Sequence, residues 1–562
     1  MHESSSCPDS LFIQDWENAG ASLAAAICRF FELSTRLEYQ CTTTDPTFSS
    51  LITRIDSTLS SFQTTLNSQL TQARVALAKT QNRLARTSSI LKLPEEVLNY
   101  IFLYFVYDPR KESPTSRSVD FDVQLIYKRV HVLIGVCASW RNIVISCGPL
   151  WCLVPILDPI FGRPCVLSTK LSLERAGNQP LHLVVYKPQY RRPEYLQALK
   201  PRSSQVETIN MCLNWEEAHG AYNSLKQLLN NDTRSLVKLS LRHEGHGFVS
   251  LPANSPSNPF TDLRPHIHAT IKSLSVLRVS NITVAWEGVL FSRNLTEFWL
   301  GNVGLSRVTT LGLFPALASA PALRHLTIVS TQATLHDLED RDIVAGTITL
   351  PKLRTMYLES LPYNFLDLLL TVIAPGSYQL TLRPRINIYI NYPSETLVGE
   401  NDICNLLRKR PVHKLILSED EHEFWELESG LHTVLESIPA LKVLILRYYR
   451  INSNSLKALV QTQGHSAFPK LEVLEAHVST FYVPFDDLKE DFAHMLEHHP
   501  IRRMVIGGKV PLEADSGLVD ETPLDETNDT IRWLKTRIPQ FCVAGDEDDV
   551  SALAEGWQLW DI

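Results

Sequence analysis

Residues 323–328 read LRHLTI and residues 353–358 read LRTMYL, with Pro321 and Pro351 just ahead of them. The phrase L-x-x-L-x-L recurs as LVKLSL from 236, LSVLRV from 274, LTEFWL from 295, VHKLIL from 412, LKVLIL from 441, LEVLEA from 471 and IRRMVI from 501, with VETINM from 206 as a weaker first copy. Starts at 323, 353, 412, 441, 471 and 501 are separated by 30, 59, 29, 30 and 30 residues, so one degenerate copy falls near Leu380 and Leu382. Pro411, Pro439, Pro469 and Pro500 precede the later copies, and helical patterns such as DICNLLRKR, LHTVLESI, SLKALVQT and DLKEDFAHMLEHH lie before those prolines. Strand, helix and proline-marked turn therefore alternate with a fixed period, which predicts a solenoid with one short parallel strand per turn. A doubly wound sheet would show longer strands and no such phrase.

This stretch resembles the leucine-rich-repeat family over about 300 residues, from Val206 to Ile506. The resemblance implies an α/β horseshoe, irregular because the family's asparagine ladder is mostly missing. Residues between the buried leucines then face the concave side. Arg242, Arg278, Trp299, His325, Tyr357 and Glu359 are the candidate substrate surface there, since Trp, Tyr and Arg dominate interface energetics. In later units the same positions hold Ile416, Val443, Ile445, Val473 and Val505, too apolar to leave in water. A C-terminal segment, IRWLKTRIPQFCV or GWQLWDI, is expected to fold back and cap the last repeats, because a solenoid end must be shielded.

Upstream, LPEEVLNYIFLYF begins at Leu93. Pro94 suits a first helical turn, Glu95 and Glu96 complement the helix dipole, and Val97, Leu98, Ile101, Phe102 and Phe105 make an apolar face. A second helical pattern covers about Lys128 to Ile145 and stops at Gly148 and Pro149. LPEEVLNYIF and VCASWRNIVISCGPLW, in that order, resemble the two halves of the F-box family, over residues 93–151. The loop from Tyr107 to Tyr127 is long for the family, and Pro149 directly precedes Leu150 and Trp151. The resemblance implies docking to a Skp-type adaptor and, through it, to a cullin, with Leu93, Pro94, Glu95, Val97, Leu98, Ile101, Phe102, Val136, Cys137, Trp140, Ile143, Leu150 and Trp151 as adaptor-binding candidates. A three-helix unit of this size cannot bury all of that apolar surface internally, so a partner should cover part of it. The other reading is that these residues pack on the rest of the chain.

Ahead of this module, Leu11 to Leu37 form one helical pattern. From Ile52, the positions Ile55, Leu59, Phe62, Leu66, Leu70, Ala73, Leu77 and Leu84 form a coiled-coil-like seam. Packing on the same chain and homodimerisation through residues 51–86 both fit it. The expected order is N-terminal helices at 1–90, an F-box-like domain at 91–152, the solenoid at 153–510 and an acidic cap or tail at 511–562.

The chain of 562 residues carries net -8, but from Pro511 onward there are 13 acidic and three basic residues, so the body is close to neutral and offers no basic stripe for nucleic acid. No run approaches the roughly 18 apolar residues that span a bilayer. The N-terminus lacks a signal-peptide pattern, so a cytoplasmic or nuclear location is expected. Ten cysteines without a C-x-x-C read as reduced, mostly buried small apolar residues. Phosphate-cradle and nucleophile-elbow motifs are absent, and His243, His246, His498 and His499 lack metal-ligand spacing. No cofactor, metal or catalytic residue is expected, and the chain reads as a substrate-recognition subunit or, alternatively, a ligase-independent scaffold.

Overall fold

The computed structural model describes residues 10–40, 48–85, 90, 93–107, 119–157, 166–186, 198–214, 235–244, 249–251, 264–334, 347–392, 394–418, 428–460, 468–511 and 521–545. Contacts divide the chain into two units, Met1–Leu93 and Pro94–Ile562.

The first unit is helical. Helix α1 spans Ser10–Gln40, α2 spans Phe48–Ser61, and α3 spans Asn67–Ala85 after a single π turn at Phe62–Leu66. The π turn falls within the apolar seam and brings Phe62 edge-on to Phe30, with ring centroids 4.9 Å apart. Among the described residues of α1 to α3, none is buried.

The second unit opens with three helices, α4 at Glu95–Tyr107, α5 at Val119–Val136 and α6 at Ala138–Ser146, then a 3-10 turn at Gly148–Trp151. Sequence periodicity predicts a single helix over 128–145, but the structure divides it. Cys137 is extended and its sulfur accepts the Trp140 backbone N–H at 3.4 Å, so it caps α6 and ends α5. Leu98, Phe102 and Val106, spaced one turn apart on α4, pack with Val130, Leu133, Val144, Leu150 and Trp151. The Trp151 indole N–H donates to the Val144 carbonyl at 2.8 Å, and the Arg129 guanidinium donates to the Val106 carbonyl at 3.1 Å near the end of α4.

Beyond Trp151, thirteen strands lie side by side in chain order, each parallel to the next: Leu153–Leu157, Leu181–Tyr186, Val206–Asn214, Lys238–Glu244, Val276–Ser280, Glu297–Gly301, His325–Val329, Thr355–Glu359, Gln379–Arg383, Val412–Ser418, Val443–Arg447, Val473–Phe481 and Arg503–Pro511. Each L-x-x-L-x-L phrase supplies one of them. Leu277, Phe298, Leu326, Met356 and Leu380 stand in one row across the sheet, and every one is at most 1% exposed. The degenerate copy is the strand Gln379–Arg383, and a bulge between Leu380 and Thr381 joins it to the next. Its weak phrase and bulge explain the 59-residue gap. Two further strands start the sheet before the first recognised phrase.

One structural ladder replaces the missing asparagines. Asn281, Asn302, Ser330, Ser360 and Tyr448 each follow the last residue of a strand with φ between 44° and 59°. Their backbone N–H groups donate to the carbonyls of Gly301, Val329, Glu359, Arg383 and His477 on the adjacent strand, at 2.9 to 3.1 Å. These backbone bonds tie the turns together, and at Asn281 the side-chain amide adds a bond to the His243 carbonyl at 3.2 Å. Val478, at φ 50°, also follows a strand position in the same series but is β-branched, which strains it. Val478→Asn is expected to raise stability by about 1 kcal/mol, read as a higher denaturant midpoint; an unchanged or lower midpoint would count against the strain.

Past Pro511 the chain adds a further, shorter turn. Glu521–Pro523 pairs antiparallel with Lys509–Pro511, the helix Asp529–Arg537 follows, and Gln540–Val543 pairs parallel with Arg503–Ile506. The Asn528 side chain caps this helix, and the Asp486 carboxylate accepts from both the amide and hydroxyl of Thr530, tying the turn to the preceding repeat. Ile531, Leu534 and Ile538 are buried by it. The IRWLKTRIPQFCV segment thus adds a helix and one more parallel strand to the sheet; GWQLWDI lies outside the described residues.

Candidate functional site

Two surfaces bring together the residues singled out in the sequence. The first is the helical module. Helix α4 is apolar almost all the way round, a pattern that belongs to a helix covered on every side. Its Leu98 and Phe102 face inward, at 3% and 1% exposure, and Leu150 and Trp151 join them in the interior. These four therefore shape the module and are unavailable for docking. Val97 and Ile101, each 41% exposed, stand on the other side of α4 with Tyr104 and Phe105. Leu93 precedes them, and Val136 at the end of α5 is also exposed. Pro94 and Glu95 lie at the exposed start of the helix, while Cys137, Trp140 and Ile143 are half-buried. Trp140 packs at a tilt against Phe102, with centroids 4.7 Å apart and ring planes at 55°, so it too is mainly a packing residue. The adaptor candidates divide into an interior set and an exposed set, and Tyr100, Tyr104 and Phe105 add to the exposed set.

The module is also fastened to the solenoid. Val119 and Val123 of α5 cluster with Leu153, Leu157 and Val184 of the first two strands. The Tyr127 hydroxyl donates to the Leu153 carbonyl at 2.8 Å and lies against the Ser172 hydroxyl. Arg175 stacks over the Trp151 ring at 4.4 Å. Burial raises the Tyr107 hydroxyl well above its usual pKa and pushes the Cys152 thiol up to about 11, so both stay neutral inside this junction.

The second surface is the sheet face opposite the phrase leucines. Arg278, Trp299, Thr327, Tyr357 and Thr381 form one row across five strands. Arg278 pairs with Glu297 at 2.6 Å, and the Trp299 indole lies over Gly301 so closely that a methyl group there would collide with the ring. His325 is exposed and bonds Thr355 at 2.8 Å; Arg242 is half-buried. Glu359 is not surface. It is 1% exposed, accepts from Arg383 and Arg385 at 3.0 and 3.1 Å, and receives the Tyr357 hydroxyl at 2.6 Å. Burial, with this carboxylate alongside, holds the Tyr357 hydroxyl far above its ordinary pKa. Arg383 and Arg385 belong to the degenerate copy, where no clear phrase marked them.

Further along, Ile416, Ile445, Glu475 and Val505 form the apolar row expected from the sequence, interrupted by one carboxylate. Lys414, Val443, Val473 and Arg503 flank it. Glu475 bonds His477 at 3.2 Å and Arg503 at 3.1 Å. The His477 bond, with Arg503 adding, holds the Glu475 carboxyl below its usual range despite burial. A carboxyl with a depressed folded pKa stabilises fully above its unfolded value of about 4.3 and loses that contribution as pH falls through the folded value. Glu475→Gln should therefore cost about 1 kcal/mol at pH 7 and less once the pH is below about 4.3, the unfolded value, compared by denaturant titration at pH 7 and pH 3; an equal cost at both would contradict the pairing. His499 is interior rather than solvated: it accepts the Leu471 N–H and bonds the Leu459 carbonyl, and burial lowers its pKa.

Among the described residues, no group of three or more His, Cys, Asp or Glu could hold a metal, and no helix is long and apolar enough to cross a membrane. The second unit is an α/β solenoid of the leucine-rich-repeat type, entered through a three-helix module. No family model and no curated protein matches the chain. Among solved structures, the TLR13–ssRNA13 complex matches at 13% identity and TM-score 0.31, over 64% of this chain and 45% of that one, so the match spans less than half of that chain's length. The Rad7 and Elc1 complex in yeast matches at 11% identity and TM-score 0.28, over 78% of this chain and 94% of that one. The strand order and register above define the fold.

Proposed function

We propose that this chain is the substrate-recognition subunit of a cullin-based SCF-type ubiquitin ligase. A Skp-type adaptor docks on the module at 91–152, a protein substrate on the solenoid, and the ligase's other subunits supply the chemistry. The observation that carries this reading is the open half of α4: Val97, Ile101, Tyr104 and Phe105 leave a contiguous helix side without cover, on a module whose sequence resembles an F-box. On the solenoid, Trp299 with Arg278, His325 and Tyr357 offer the aromatic and cationic groups that concentrate binding energy. The chain would act by proximity, holding substrate near a charged enzyme, and no residue of it would perform the transfer. This reading places it in the cytoplasm or nucleus, with no nucleic-acid or membrane partner and no cofactor.

A second reading is a ligase-independent recognition scaffold. The fastening of Val119, Val123 and Tyr127 onto the first strands favours it, because that packing alone would give the module a purpose as an N-terminal cap. Co-purification of the full chain with a Skp-type adaptor separates the two. A stoichiometric complex is expected, and a chain that stays free of adaptor would leave the scaffold.

A further inference from the structure

We propose that the Met1–Leu93 unit joins two copies of this chain, each hairpin of α1 with α2 and α3 covering the other in a four-helix assembly. Helix α1 is 31 residues long, yet neither it nor its partner helices contain a buried residue among those described. A pair of isolated helices without an interior has little to hold it, since helix stability in proteins comes mainly from packing an amphipathic face. The apolar surface is also wider than the hairpin uses. Phe30 meets Phe62, whereas Phe31, about 100° further round the helix, is 71% exposed. On α2, Leu59 lies one turn from Phe62 and is 60% exposed. Each half of the hairpin thus keeps an apolar flank beside the shared contact.

Charge selects the occupant. Helix α1 has Asp15, Glu17, Glu32 and Glu38 against Arg29 and Arg36, net -2, while residues 48–85 have Arg54, Arg74, Lys79 and Arg83 against Asp56, net +3. A second copy related by a two-fold axis sets the acidic helix of one chain beside the basic stretch of the other, twice over. An unrelated acidic or basic partner would complement only one half. The π turn at Phe62–Leu66 adds a local irregularity that both copies share and that favours one register.

The test uses the full chain in sedimentation velocity or light scattering. A mass of twice 63.6 kDa is expected. Phe31→Asp with Leu59→Asp should halve it without changing the melting temperature of the second unit, whereas Val308→Asp, at an exposed solenoid position, should leave the dimer intact. A second pair of variants keeps the proposal falsifiable if the first aggregates. One reverses the acidic residues of α1 to lysine, the other reverses Arg74, Lys79 and Arg83 to glutamate. Each alone should be monomeric, and their mixture should restore a dimer. A monomeric wild-type chain, or a dimer that persists when residues 1–89 are deleted, would overturn the proposal.

Discussion

Replacing Val97 and Ile101 together with aspartate is expected to abolish capture of a Skp-type adaptor while leaving the module folded. Both side chains are 41% exposed, so the exchange should cost folding about 1 to 2 kcal/mol per site, less than at an interior position. In a complex the same positions would lie beneath the partner. Losing two apolar anchors and desolvating two carboxylates should cost at least about 3 kcal/mol, a roughly 100-fold or greater loss of affinity. The contrast is Leu98→Asp, one residue along. Leu98 is interior, 3% exposed, and a carboxylate there should unfold the module outright. Binding should therefore fail in both variants, but circular dichroism and protease resistance should change only in Leu98→Asp. Adaptor binding that survives in the double variant would remove α4 from the interface.

Ending the chain after Pro511 is expected to produce the second large effect. The turn beyond it buries Leu524, Ile531, Leu534 and Ile538 and covers the strand of Met504, Val505 and Ile506. At roughly 1.5 to 3 kcal/mol for each fully buried aliphatic side chain, the last repeat loses on the order of 6 kcal/mol. The edge left open would then be the longer, apolar strand of Met504, Val505 and Ile506 in place of the short Gln540–Val543. Aggregation or a melting temperature lower by about 10 °C is the expected result. A chain ending at Gly545 keeps these side chains and is the reference. A monodisperse product ending at Pro511, with an unchanged melting temperature, would show that the turn is not a cap.

Physical reasons separate what the sequence showed from what it hid. The phrase leucines were legible because a solenoid buries the same three positions in every turn, and Leu326, Met356 and Leu444 are all fully enclosed. The end of α5 was not, because an uninterrupted apolar period runs from Lys128 to Ile145 and only the extended backbone of Cys137 divides it. In α4 the apolar content was plain, but which side turns inward depends on Val130, Leu133 and Trp151, residues distant in the chain. Glu359 read as a surface residue because its partners, Arg383 and Arg385, lie in the copy with the weakest phrase. The ladder that holds the turns together was invisible for a different reason. It uses backbone N–H groups at Asn281, Asn302, Ser330, Ser360 and Tyr448, and no single side chain marks such a position.

An adaptor is expected to dock on the module and not on the solenoid. Hydrogen–deuterium exchange of the full chain, with and without a saturating purified Skp-type adaptor, tests it most directly. Slower exchange in residues 93–107 and in 128–146, with the strands from Val206 to Pro511 unchanged, is the expected result. No change anywhere, or protection confined to the solenoid, would contradict it.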